Sequence, residues 1–245
     1  VLGNTTKDAV AQWLPAVMAR PARGGAEEDD PEAVVMVDAF PRRPGFDAPA
    51  IDEFTGRSRA FVKVQDGCDL RCAYCLIWQA RGPARSRPPA SVLDQVSRLH
   101  VGGGYRELIL TGVHLGRWGG DLPGQPGLTD LVASVTDAFP DLRLRLSSIH
   151  PDEVTPALLE LLATRAHLRP HLHISLQSGS DAVLARMRRP YRRREAERAV
   201  AAAAAVAPQF GLGADVIVGF PGETDDDFAA TCALVEQQPF TYLHV

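Results

Sequence analysis

From residue 58 onward the apolar positions follow two alternating rhythms. Short runs in which most or every second residue is apolar are AFVKV (60–64), ELILTG (107–112), LRLRLSS (142–148), HLHISL (171–176), GADVIVGF (213–220) and FTYLHV (240–245). Between them lie stretches with apolar residues three and four apart: SVLDQVSRLHV, LTDLVASVTDAF, TPALLELLATR, REAERAVAAAAAV and TDDDFAATCALVEQ. The first kind predicts strands and the second helices. Strand–helix alternation predicts a parallel sheet with crossover helices, an α/β fold. Six strands are too few for a full eight-stranded barrel, so an open or partial (β/α)6 barrel is expected. In such folds the active site lies beyond the C-terminal ends of the strands.

Residues 1–57 have a different texture. TTKDAVAQWLPAVMAR predicts a helix through Val10, Trp13, Leu14, Val17 and Met18, with Pro15 as a weak point. GGAEEDDPE reads as an acidic loop, AVVMV as a short buried strand, and PRRPGFDAP as a linker. The expectation is a small α/β remnant of an N-terminal domain over 1–57 and a second domain over 58–245. A start at Val1 and a stop within FTYLHV suggest a piece of a longer protein.

The residues that follow the strand-like runs share a character. DGCDLRCAYC, TGVHLG, SSIHP, QSGS and GFPGET come after the first five, and each is polar or glycine-rich. The first holds three of the chain's four cysteines. Cys68, Cys72 and Cys75 have the spacing C-x3-C-x2-C. Thiolates are soft ligands for zinc or iron–sulfur clusters. Three of them on one loop can hold three corners of a cubane and leave one iron open. A structural zinc with His100, His114 or a distant histidine as fourth ligand is the alternative. Cys232 shares a helical face with Phe228 and Val235, and is expected to be a small buried hydrophobe.

Composition adds little. Hydrophobic residues make up 45 % of the chain and charged residues 23 %, ordinary for a soluble globular protein. No apolar run approaches the roughly 18 to 20 residues of a membrane span, and no secretory signal is visible. A cytoplasmic protein with no membrane partner is expected. The net charge of −4 gives no global attraction for nucleic acid. A local patch could supply it. RMRRPYRRR carries Arg186, Arg188, Arg189, Arg192, Arg193 and Arg194, and Arg81, Arg85 and Arg87 follow the cysteine loop. These could neutralise phosphates, or form a solvated helix face paired with Glu195 and Glu197.

The cysteine motif, with Tyr74 before Cys75, resembles the signature of the radical S-adenosylmethionine (SAM) superfamily. GCDLRCAYCLIWQARGPARSRPP, LTGVHLGRWGGDL, RLSSIHPDEVT, HLHISLQSGSDAVLARMRRPY and DVIVGFPGET resemble successive blocks of the methylthiotransferases. The wording ARGPARSR, TGVH and SSIHPDEVT is most similar to the branch acting on threonylcarbamoyladenosine of tRNA. Its sister branches act on isopentenyladenosine of tRNA or on an aspartate of a ribosomal protein. The resemblance covers about residues 58 to 245, and implies a partial barrel of the radical SAM type. It implies a transferase that adds a methylthio group to C2 of the adenine beside the anticodon, with tRNA, an electron donor and a sulfur source as partners. It implies a [4Fe-4S] cluster on Cys68, Cys72 and Cys75, with SAM on its open iron. Tyr74 would lie near the adenine of SAM. Thr111 and Gly112 would meet its methionine moiety, although TGVH stands where many relatives have Gly-Gly-Glu. Ser147, Ser148 and Gln177 would contact ribose or carboxylate. Asp215 would be a polar site residue, and Gly219 would flank the adenine. The arginines of RMRRPYRRR would face tRNA. The family's N-terminal domain holds a second cluster on three further cysteines, and no cysteine precedes Cys68 here. A non-catalytic, zinc-stabilised RNA-binding module is the alternative from another class.

Overall fold

The computed structural model describes residues 45–46, 48–207 and 209–245. The helix and strand expected before residue 45 lie outside the described residues. The elements are β1 (Ala60–Asp66), α1 (Ile77–Arg81), β2 (Arg85–Ser86), α2 (Pro89–Ser97), β3 (Glu107–Gly112), α3 (Leu128–Ala138), β4 (Arg143–Leu146), α4 (Pro156–Thr164), β5 (His171–Gln177), α5 (Asp181–Arg186), α6 (Arg193–Ala204), β6 (Gly211–Val216), α7 (Asp225–Gln237) and β7 (Tyr242–His244).

Six strands run parallel. β1 pairs with β3 and β3 with β4; β5 pairs with β6 and β6 with β7. Isolated parallel bridges, Leu144 to Leu168 and Ile149 to Ile174, link the two sheets. Among the described residues β7 does not pair with β1, so the arc is an open, partial barrel of the α/β class. The two-residue β2 adds antiparallel to β1, an edge the hydrophobic pattern does not reveal.

Period-two alternation sorts the strand residues into two faces. Val62, Leu110, Leu144, Ile174 and Ala214 are fully buried on the face covered by the helices. The opposite face is polar and partly open, with Lys63, Thr111, Arg145, His173 and Asp215. The apolar face therefore supplies the core, and the concave face is left for chemistry.

Local signals set the ends. Thr155, Ser180 and Thr224 cap α4, α5 and α7 by accepting the N–H of Leu158, Val183 and Asp227. The strand expected over 213–220 instead spans Gly211–Val216. Beyond it the chain turns at Gly219, φ +70°, and the Glu223 carboxylate accepts the Phe220 N–H at 3.1 Å. α2 leaves α-geometry at Arg98 and ends in a π-turn through Gly102. Cys232 on α7 is half-buried rather than buried.

Candidate metal centre

β1 ends in Asp66, whose carboxylate is fully buried. Lys63 Nζ lies 2.6 Å from it, Arg85 Nη2 2.8 Å and Arg81 Nη1 3.3 Å. Burial pushes its pKa up, but Lys63, the Gly67 N–H and Arg85 outweigh this and hold it below the usual carboxylate range. The chain then turns at Gly67, φ +70°, where a Cβ would lie 2.0 Å from the Pro83 carbonyl oxygen. Only glycine fits there. The Cys68 N–H donates to Gly82 O at 3.1 Å, and the Ala73 N–H to Met187 O at 3.1 Å. The loop is thus fixed at both ends. Arg81 and Arg85 both pair with this anchor, Arg85 as a buried partner. Arg87 is buried too, bonded to Ser91 Oγ at 2.9 Å.

Cys68, Cys72 and Cys75 are free thiols on this loop. Each sulfur has its own hydrogen-bond partner. His114 Nδ1 lies 3.7 Å from Cys68 Sγ, Arg189 Nη1 donates to Cys72 Sγ at 3.3 Å, and the Ile77 N–H to Cys75 Sγ at 3.4 Å. The three sulfurs do not converge within 4.8 Å, as two histidine–carboxylate sets among the described residues do. Three spread, soft donors fit a multi-iron cluster better than a single zinc ion. His100, offered for the zinc alternative, is engaged by Tyr105 O at 2.8 Å and Asp141 at 3.2 Å.

The basic run divides. Arg189 was expected to face RNA, but it is only 7 % exposed. Its guanidinium bonds Cys72 and, through Nε at 2.8 Å, the Tyr191 hydroxyl, which donates to Ser175 O. Arg186 pairs with Asp227 at 3.1 Å and Arg193 with Glu197 at 2.7 Å. Arg188, Arg192 and Arg194 are exposed.

The remaining expected site residues lie along one rim. Thr111 and Gly112 end β3, Ser147 and Ser148 follow β4, Gln177 ends β5 and Asp215 is near the end of β6. Ser147 Oγ is buried without a partner. Gln177 has φ +66°, an uncommon conformation for a residue with a side chain. Tyr74 is 38 % exposed and Gly219 lies on the surface.

Two clusters were poorly visible in the sequence. His114 Nε2 bonds Glu153 Oε1 at 2.6 Å, and the His150 ring lies 4.2 Å from that of His114. Burial opposes charge on His114, but hydrogen bonding to Cys68 and Glu153 and their charge raise its pKa to about 9. Burial, then the Arg189 charge, holds His150 down at about 3. Burial raises Glu153, yet His114 more than offsets this and keeps it below its usual range. His114 also lines a cleft of about 420 Å³ with Asp69, Leu70, Arg117 and Asp121. In the second cluster His173 Nε2 and His244 Nδ1 lie 2.9 and 3.3 Å from Asp215 Oδ1. A histidine just after a strand was the only sequence signal for the first cluster. For the second there was none beyond Asp215 itself.

The profile of the Radical SAM superfamily matches residues 62–235, and the chain belongs to that superfamily. Membership implies a [4Fe-4S] cluster and SAM as cofactors. Among individual proteins, the chain is 41 % identical over 196 residues to the threonylcarbamoyladenosine tRNA methylthiotransferase MtaB of Rickettsia prowazekii, covering 80 % of this chain and 46 % of that protein. It is 41 % identical over 192 residues to the protein of that name from Thermotoga maritima, covering 78 % and 44 %. It is also 40 % identical over 184 residues to the tRNA-2-methylthio-N(6)-dimethylallyladenosine synthase of Chloroflexus aurantiacus, covering 75 % and 39 %. The chain thus spans less than half the length of these relatives. The structure of the radical S-adenosylmethionine methyltransferase TsrM from Kitasatospora setae superposes with TM-score 0.62 at 21 % identity, over 76 % of this chain and 35 % of that one. That likeness concerns the fold.

Proposed function

We propose that the chain is the radical SAM core of a tRNA methylthiotransferase that adds a methylthio group to C2 of N6-threonylcarbamoyladenosine beside the anticodon. The observation that carries the reading is the set of three free cysteines on the braced loop after β1, in a chain 41 % identical to a protein of that name. Cys68, Cys72 and Cys75 would hold the cluster. Thr111, Gly112, Ser147, Ser148, Gln177 and Asp215 would line the SAM site, with Tyr74 and Gly219 toward the adenine. When bound, the cluster and SAM supply an electron and a 5′-deoxyadenosyl radical that abstracts a hydrogen atom. The loop anchor at Asp66 orients the thiols, and Arg189 holds Cys72 in place. Arg188, Arg192 and Arg194 present the free positive charge for RNA phosphates.

Residues 1–57 as the end of an N-terminal domain, a second cluster held outside these 245 residues, a cytoplasmic location, a sulfur source and an electron donor belong to the same proposal. No helix among the described residues is long and apolar enough to cross a membrane. The 40 % identity to a dimethylallyladenosine synthase supports isopentenyladenosine as the second substrate reading. The test is complementation of strains lacking each methylthiotransferase with the full-length protein, followed by mass spectrometry of tRNA nucleosides. Methylthiolated threonylcarbamoyladenosine supports the proposal. Methylthiolated isopentenyladenosine alone transfers the protein to the sister activity, and neither product overturns both readings.

A further inference from the structure

The three sulfurs of the cysteine loop have unequal surroundings. Cys75 accepts from the backbone N–H of Ile77 and Cys72 from the Arg189 guanidinium. The partner of Cys68 is built from three segments. His114 follows β3, and its backbone N–H donates to Gln65 Oε1 at 2.7 Å. The Gln65 amide in turn donates to Asp66 O at 3.0 Å and Gly67 O at 2.8 Å, at the root of the cysteine loop. The His114 backbone is therefore tied to the chain that carries Cys68.

Its ring is fixed from the other side. Glu153, in the turn after β4, holds Nε2 at 2.6 Å with one oxygen and accepts the His150 N–H at 3.1 Å with the other. Both side chains are nearly closed to solvent, at 4 % exposure for His114 and 10 % for Glu153. The carboxylate occupies space that only glycine leaves open, since a Cβ at Gly116 would lie 2.1 Å from it. The ring is thus held between the Glu153 carboxylate at Nε2 and the Cys68 sulfur at Nδ1. Carboxylate–histidine pairs of this kind orient and tune metal ligands elsewhere.

We infer that His114, clamped by Glu153, is a positioning residue for Cys68: its Nδ1 is held against the Cys68 sulfur and sets the potential at which the bound cluster accepts an electron. The reduction potential of such a cluster depends on the contacts made to its ligand sulfurs, so the His114 contact at Cys68 is read in that potential. The Glu153 carboxylate keeps the ring from turning away. The inference rests on the cluster assignment to Cys68, Cys72 and Cys75. The two fail differently: a wrong assignment shows as absent iron and sulfide, a wrong inference as an intact cluster indifferent to His114.

The test uses the anaerobically reconstituted chain without SAM, and reads the cluster rather than turnover. In protein labelled with 15N-histidine, pulsed EPR of the reduced cluster is expected to show coupling to a histidine nitrogen. That coupling should vanish in His114→Ala. Redox titration of His114→Ala is expected to give a midpoint potential different from the parent's, and Glu153→Gln a smaller shift in the same direction. His167→Gln, an exposed histidine, should match the parent. No 15N coupling in the parent chain overturns the inference, and so does an unchanged potential in an iron-replete His114→Ala. If His114→Ala sheds its iron, the Glu153→Gln potential and the parent coupling decide, and a null result in either overturns it.

Discussion

The two histidine–carboxylate clusters use the same residue types and have different characters. Around Glu153 the groups are buried, the carboxylate serves one histidine side chain, and the far nitrogen of that histidine faces a cysteine. Around Asp215 the carboxylate is 36 % exposed and shared by His173 and His244, the latter 68 % exposed, on the open concave face. A buried pair strengthens as the local dielectric falls, but each member becomes costly to leave alone. An exposed pair contributes little and stays free to exchange partners. The first cluster is thus suited to holding a ligand still. The second is suited to meeting a molecule that enters the barrel.

Substitution should separate them most sharply. Glu153→Ala leaves His114 buried without its acceptor, and should cost about 3 kcal/mol of folding stability. Asp215→Ala should cost about 1 kcal/mol or less. Denaturant unfolding of the two variants checks this, and equal losses would erase the distinction. A second variant tests whether the cysteine loop depends on its backbone rather than on either cluster. Gly67→Ala forces a Cβ to within 2.0 Å of Pro83 O at φ +70°. It should cost about 2 kcal/mol and lower iron retention, measured by unfolding and by iron content together.

Acid should act on the buried cluster. The His150 pKa is depressed from 6.5 to about 3. In that interval the unfolded chain binds a proton that the folded chain does not, so stability rises with pH across it and is lost as pH falls from 6.5 toward 3. His150→Leu should flatten this limb in unfolding measurements made at stepped pH. The smallest effect concerns the arginines. In the full-length protein, replacing Arg188, Arg192 and Arg194 by alanine should lower the salt slope of tRNA binding by roughly one unit per lost phosphate contact. Arg189→Ala should leave that slope unchanged and disturb the cluster instead.

Much of the fold was legible in the hydrophobic rhythm. β3 was expected over 107–112 and lies there, because its boundary coincides with the change from apolar run to TGVH. β6 was misplaced because Ile217 and Val218 look like strand residues, whereas Gly219 and the Glu223 carboxylate turn the chain first. The cysteines declare themselves by spacing. The inward turn of Arg189 does not, since a run of arginines looks the same whether each one meets water or a sulfur. Nor does Glu153, whose importance lies in a contact 39 residues away in sequence.

On the proposed function, the loop after β1 carries a cluster able to act on SAM. Anaerobic reconstitution of the chain, with iron and sulfide determined and EPR recorded before and after SAM, tests it most directly. About four irons and four sulfides per chain are expected, as for a thiolate-held cubane. SAM should change the spectrum of the reduced cluster. Cys68→Ala, Cys72→Ala and Cys75→Ala should each abolish the signal, and Cys232→Ala should retain it. Zinc bound in place of iron and sulfide, or equal loss of the signal on replacing Cys232, would contradict the account.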